Sequence, residues 1–230
     1  MPNMTTRHLS RRVFLRLTAG GAGVAALLSA RWAQAMGTKP EFQGVHRLSG
    51  NVSIDGQPAK VRMPVNPGDT IRTGADGMVI FVVGVDAYLL RENSTLTVEG
   101  EPTLIQRLTL NAGRLLSVFA PNKAERRFLT TTTVIGIRGT GLYIEAEKDK
   151  TYVCTCYGTT RLAVADKPDT GETIITRHHE APRYIYPASS GREELIVKAN
   201  KVINHTDDEL TMLEWLVGRR PPFGSSGGTY

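Results

Sequence analysis

Residues 131–144 read Thr-Thr-Thr-Val-Ile-Gly-Ile-Arg-Gly-Thr-Gly-Leu-Tyr-Ile. β-Branched residues dominate both ends, which suits pleated strands. Between them Gly136, Gly139 and Gly141 surround a single charge, Arg138. Glycine within a strand run marks a bulge, a tight bend or a close backbone approach. The expectation is therefore two strands joined by a kink. Arg138 would pin that kink through nearby carbonyls, or else reach a ligand.

The stretch sits in a long region of the same character. From residue 42 to residue 164 turn signals recur every 8–12 residues or so, which points to a sandwich, a roll or a barrel. Strands are expected at 45–54, 60–65, 70–73, 78–85, 88–90, 96–98, 104–110 and 115–119. Asp55-Gly56 between the first two is a hairpin signal. Asn66-Pro67-Gly68-Asp69 and Gly74-Ala75-Asp76-Gly77 carry turn chemistry. The near-continuous apolar run 78–85 predicts a strand buried on both faces. Further strands are expected at 152–157, 172–176 and 194–203. The fold class is all-β: a sandwich, roll or short β-helix of many short strands, with one C-terminal amphipathic helix.

That helix is signalled by Thr206-Asp207-Asp208-Glu209, a capping box with acids in the first turn. Leu210, Leu213, Leu216 and Val217 follow on one face, and Gly218 ends the element. The helix is expected over 204–218, packed on the β domain of 36–203. Residues 219–230, rich in Pro, Gly and Ser, are expected to be disordered. The polar loop 120–127, with Asn122, Lys123, Glu125, Arg126 and Arg127, reads as a solvated connection.

Two blocks resemble the FecR domain, the periplasmic module of cell-surface signalling regulators. Ile137-Arg138-Gly139-Thr140-Gly141-Leu142 is similar to its hydrophobic-Arg-Gly-Thr signature. Val65-Asn66-Pro67-Gly68-Asp69-Thr70-Ile71-Arg72-Thr73-Gly74-Ala75-Asp76-Gly77 is similar to its Gly-Asp-x-hydrophobic-x-Thr-Gly-x-x-Gly run. Asn93-Ser94-Thr95-Leu96 and Asn111-Ala112-Gly113-Arg114-Leu115 fall where that family has Ser-x-Leu and Gly-x-Leu. The resemblance spans about residues 45–165. It implies a non-enzymatic sensing or interaction module whose partner is another envelope protein, with Gly68, Asp69, Thr73, Gly74, Gly77, Arg138, Gly139 and Thr140 as structural motif positions.

Residues 1–35 read as a leader. Arg11-Arg12 precede Val-Phe-Leu, an apolar run follows to Ala30, and Ala33-Gln34-Ala35 has the spacing a signal peptidase needs. The arginine pair identifies the twin-arginine type. The expected location is the periplasm. The apolar run is shorter than the ~20 residues of a membrane span, so no stable span is expected after cleavage. The leader also carries Arg7, Arg16 and Arg31 and no acid, so removing five of 28 basic residues leaves 23 against 22 acids, a mature net charge of +1. The basic balance of the whole chain thus gives no reason to expect nucleic acid. Only ten residues precede the arginine pair, too few for the anti-sigma segment of FecR-type regulators, so direct control of a sigma factor is not expected.

The chemistry-bearing residues are few. Cys154 and Cys156 are the only cysteines, and on a strand positions i and i+2 share a face. A disulfide between them is incompatible with extended geometry. Three readings stay open: thiolate ligands of a transition metal, a labile redox disulfide, or buried core thiols. If the strand 172–176 lies beside 152–157, His178-His179 comes near the thiols. A Cys₂His or Cys₂His₂ site for zinc, copper or iron then follows, with one of the two adjacent histidines coordinating. His46 and His205 each stand alone and read as surface or capping residues. No nucleophile elbow, phosphate loop or helical histidine-acid motif is present, so no enzyme is expected.

Overall fold

The computed structural model describes residues 43–121 and 126–223. The leader with Arg11 and Arg12, the loop residues Asn122, Lys123 and Glu125, and the tail 224–230 lie outside the described residues. Fourteen strands form one sheet that does not close. They are β1 (Gly44–Ser49), β2 (Val52–Ile54), β3 (Gln57–Pro58), β4 (Thr70–Thr73), β5 (Met78–Val83), β6 (Asp86–Leu90) and β7 (Thr95–Glu101), then β8 (Leu104–Val118), β9 (Arg126–Leu129), β10 (Thr133–Ala146), β11 (Thr151–Val164), β12 (Lys167–Thr176), β13 (Arg183–Ile185) and β14 (Ile196–Lys198). One α-helix follows, α1 (Asp207–Leu216). The described residues are thus mostly β with a single C-terminal α-helix. Among the described residues no helix is long and apolar enough to cross a membrane.

Strand β8 organises the sheet. Its first half pairs with β7 and, in parallel, with β9; its second half pairs with β6 and β10. The expectation of two strands, 104–110 and 115–119, is corrected to one bent strand. Gly113 is the bend, with φ at +101°. A Cβ there would collide with Ser94, whose Oγ accepts the Arg114 amide at 3.0 Å. Ser94 N in turn donates to Thr73 Oγ1 at 2.9 Å. Thr73, Ser94 and Gly113, far apart in sequence, therefore form one contact chain.

The sheet buries both faces along its middle. In β5, Val79, Phe81 and Val83 join the larger core, while Ile80 and Val82 join a second one on the opposite face. Helix α1 covers the second core with Leu210 and Leu213, joined by Val217 directly after it. Its capping box is present: the Thr206 side chain accepts from Glu209 N, and the Glu209 carboxylate accepts from Thr206 N. The helix is shorter than 204–218 because Gly218 takes φ +70° two residues after Leu216. Residues 219–223 are not disordered. Arg219 pairs with Glu214, and the Phe223 ring lies 4.5 Å from His178.

Other expectations need correction. Residues 45–54 divide into β1 and β2 at Gly50, whose φ of +61° brings it against the Asp76 carbonyl. Residues 60–65 form no strand; the hairpin partner of β2 is β3, joined through Asp55 and Gly56, both at positive φ. Residues 194–203 contribute only β14. Arg126 is not on a solvated loop: it is buried in β9 and pairs with Asp86 at 2.7 Å.

Residues 133–144 prove to be part of one strand, β10, with a bulge at 138–141. Arg138 is exposed, so it does not pin the bend. The glycines make it. Gly139 has φ +58°. Gly141 lies under the Tyr157 ring, where any Cβ would collide. Thr140 is buried and donates to the Thr159 carbonyl at 2.9 Å.

Candidate metal centre

Tyr152, Cys154 and Cys156 alternate with Val153 and Thr155 along β11. Alternation sends both thiols to the second core, beneath α1. Both are free and fully buried. β12 pairs with β11 from Gly158 onward, not across 152–157, so the cysteines lie just past the end of that ladder. The chain leaving β12 turns back, and His179 N donates to the Cys156 carbonyl at 2.9 Å. His179 itself adopts φ +56°. Non-glycine residues are uncommon there, and such strain concentrates at functional sites.

That backbone places the His179 ring beside the thiols, with Nδ1 at 3.3 Å from Cys154 Sγ. The fourth group is His205, expected from the sequence to be a surface or capping residue and corrected here to a buried one. It is 4 % exposed, its Nε2 lies 3.4 Å from Cys156 Sγ, and it stands 3.1 Å from His179 Nδ1. The ligand atoms of Cys154, Cys156, His179 and His205 all lie within 4.8 Å of one another. His178 is not part of this set. Its Nε2 meets both carboxylate oxygens of Asp207 at 2.9 Å.

The outer nitrogens of both imidazoles are committed. His205 Nδ1 faces the Ile203 carbonyl at 2.7 Å, so that nitrogen carries the proton. His179 Nε2 faces Asp207 Oδ1 at 3.2 Å and donates likewise. This leaves His179 Nδ1 and His205 Nε2 turned toward each other with lone pairs available. Ring orientation is held as well: Tyr143 stacks on His205 with centroids 4.4 Å apart. Asp207 is buried in the first turn of α1, where the helix dipole favours a carboxylate. A carboxylate or carbonyl behind a ligating histidine is the usual outer shell of a metal site.

The distances fit a tetrahedral ion. Bonds of about 2.0–2.1 Å to nitrogen and 2.3 Å to sulfur at tetrahedral angles place ligand atoms about 3.3–3.8 Å apart. Of the three measured separations, 3.3 and 3.4 Å lie at the short end of that range and 3.1 Å falls just below it. In the metal-free site the electrostatics favour the ligand form at Cys154 alone. The Cys156 thiol, and after it the two imidazoles, hold Cys154 well below the ordinary thiol range, against the opposing effect of burial. Burial, then the side-chain contact with Cys154 and its charge, push Cys156 up. Burial pulls His179 down, but its bonds to Cys154 and Asp207 outweigh it, so its pKa is raised.

No family model matches the chain, and no curated protein matches it. Among solved structures it is similar to two crystal structures of a candidate anti-sigma factor from Parabacteroides distasonis. One, at 2.50 Å resolution, is 11% identical with a TM-score of 0.46 and aligns 57% of this chain to 59% of that one. The other, at 1.65 Å, is 12% identical with a TM-score of 0.46 and aligns 64% of each chain. The chain therefore spans about three-fifths of the length of these structures.

Sequence reasoning missed His205 because it is 49 residues from Cys156 and shows no motif spacing. The one available signal was its place directly before the capping Thr206, since an N-cap fixes where the preceding residue points.

Proposed function

We propose that this protein is a non-enzymatic metal-binding module whose buried Cys154, Cys156, His179 and His205 hold one transition-metal ion. The observation that carries this reading is the pair of facing nitrogens. Two imidazoles whose outer N–H groups are already donated present lone pairs 3.1 Å apart, flanked by two thiols. Lone pairs in that arrangement need a cation between them, either a proton or a metal. Two soft sulfur and two nitrogen ligands in a tetrahedral set select zinc first, with copper(I) next.

Four protein ligands leave no open position for a reacting water, which suits a structural or sensing ion rather than a catalytic one. The ligands come from β11, from the turn after β12 and from the entry to α1. A bound ion would therefore tie the C-terminal helix to the sheet. The FecR-like blocks at 68–77 and 137–142 and the twin-arginine leader support a place in the cell envelope, where such a module would meet a protein partner. Export by the twin-arginine route carries folded proteins, so the ion would be inserted before the thiols reach an oxidising compartment.

The test is elemental analysis of the exported protein purified without chelator. About one ion per chain is expected, falling toward background in Cys154→Ser and in His205→Ala. Background metal in the wild type would contradict the proposal.

A further inference from the structure

A cleft of about 740 Å³ opens beside the metal centre, on the far side of His178. Cavities of this order are the size that small-molecule ligands occupy. Its walls are largely aromatic. Tyr157 comes from β11, Phe119 directly follows β8, and Phe223 comes from the segment after α1. Tyr157 can lie flat there because Gly141 beneath it has no Cβ. Its hydroxyl donates to Glu214 on α1, and Arg219 Nε donates to the same carboxylate. The one acid lining the cleft is thus buried and already paired.

The remaining charges are of one sign. Arg177 and Arg220 also line the cleft, both exposed, and neither forms an ion pair with an acid among the described residues. A low-dielectric aromatic wall beside two guanidinia free of internal carboxylates favours an anion with an apolar body. Guanidinium binds carboxylate in a two-pronged fork, and its face also packs on aromatic rings.

We infer that this cleft is a binding site for a small organic anion, of the class of an aromatic carboxylate. The ligand's carboxylate meets Arg177 and Arg220, and its ring lies against Phe223 and Tyr157. This inference is independent of the metal.

The test is calorimetric titration of the full chain with naphthalene-2-carboxylate, and with 2-naphthalenemethanol as the uncharged twin. The carboxylate should bind saturably at one site, and the alcohol about ten-fold or more weaker, the change expected when a charge-assisted contact is lost. The double variant Arg177→Gln/Arg220→Gln should weaken carboxylate binding by about the same factor while leaving the alcohol unchanged. Both positions are exposed, so this variant should fold as the wild type does. Phe223→Ala should weaken both ligands. Failure of the carboxylate to saturate would overturn the inference. So would equal affinity for the alcohol, or a double variant that binds the carboxylate as well as wild type.

Discussion

His179 Nδ1 lies 3.1 Å from His205 Nε2, and each ring has its other nitrogen already donating, to Asp207 and to the Ile203 carbonyl. Two acceptors this close are stable only with a cation between them. The chain brings them together from segments 26 residues apart, across the end of β11.

The outer shell gives the first prediction. Asp207 holds His179 from behind and also receives His178. Asp207→Asn should keep about one ion per chain at saturating metal but weaken affinity by roughly 10–100-fold, the range for losing an outer-shell partner. His178→Ala, which removes no ligand, should keep full stoichiometry. Competition with a chromogenic chelator measures both.

Acid should release the ion. Thiolates and neutral imidazoles are the binding forms, so each proton taken up removes a ligand. Against the opposing effect of burial, Cys154 and then Asp207 raise His179 above its ordinary value, so proton competition there begins nearer neutrality than for an unperturbed histidine. In the metal-free protein the sign is that of a raised imidazole. The stabilisation is full below the unfolded pKa and is lost as pH climbs through the folded one. Bound metal after dialysis at stepped pH should fall monotonically on acidification; retention unchanged down to pH 4 or so would contradict the ligand assignment.

Glycine placement gives a stability prediction with its own control. Gly158 combines φ +91° with a Cβ position that would collide with the Gly139 carbonyl, a backbone atom that cannot rotate away. Gly158→Ala should destabilise the fold by about 2–3 kcal/mol. Gly56 has φ +77° but open space around it. Gly56→Ala should therefore cost only about 1 kcal/mol, the strain of the left-handed backbone alone. Equal losses in denaturant melts would show that the close approach at the β10 bulge carries no energy.

Much of the fold was legible where the signal is local. Asp55-Gly56 closes the β2–β3 hairpin, Met78–Val83 is buried on both faces, and Thr206 caps α1. The cysteines' shared face followed from strand alternation alone. What depends on long-range pairing was not legible. Whether 104–118 is one strand or two is decided by Ser94, which fits against Gly113 from another part of the chain. His205 is brought to the thiols only by the return of the chain after β14. Arg138 read as a structural charge because it is the one cation among glycines, but the bulge leaves it facing solvent.

Export is a separate expectation. Replacing Arg11 and Arg12 together with lysine should leave uncleaved precursor in the cytoplasm, seen by fractionation and mass spectrometry. Normal processing of the double variant would contradict twin-arginine transport.

The most direct measurement is the metal content of the wild-type chain set against Cys154→Ser and His205→Ala, read by elemental mass spectrometry alongside thermal melts. The account predicts about one zinc or similar ion per wild-type chain, and loss of metal together with lowered melting temperature in both variants. A wild type with metal at background, or a His205→Ala variant that keeps its full ion, would contradict the four-ligand centre.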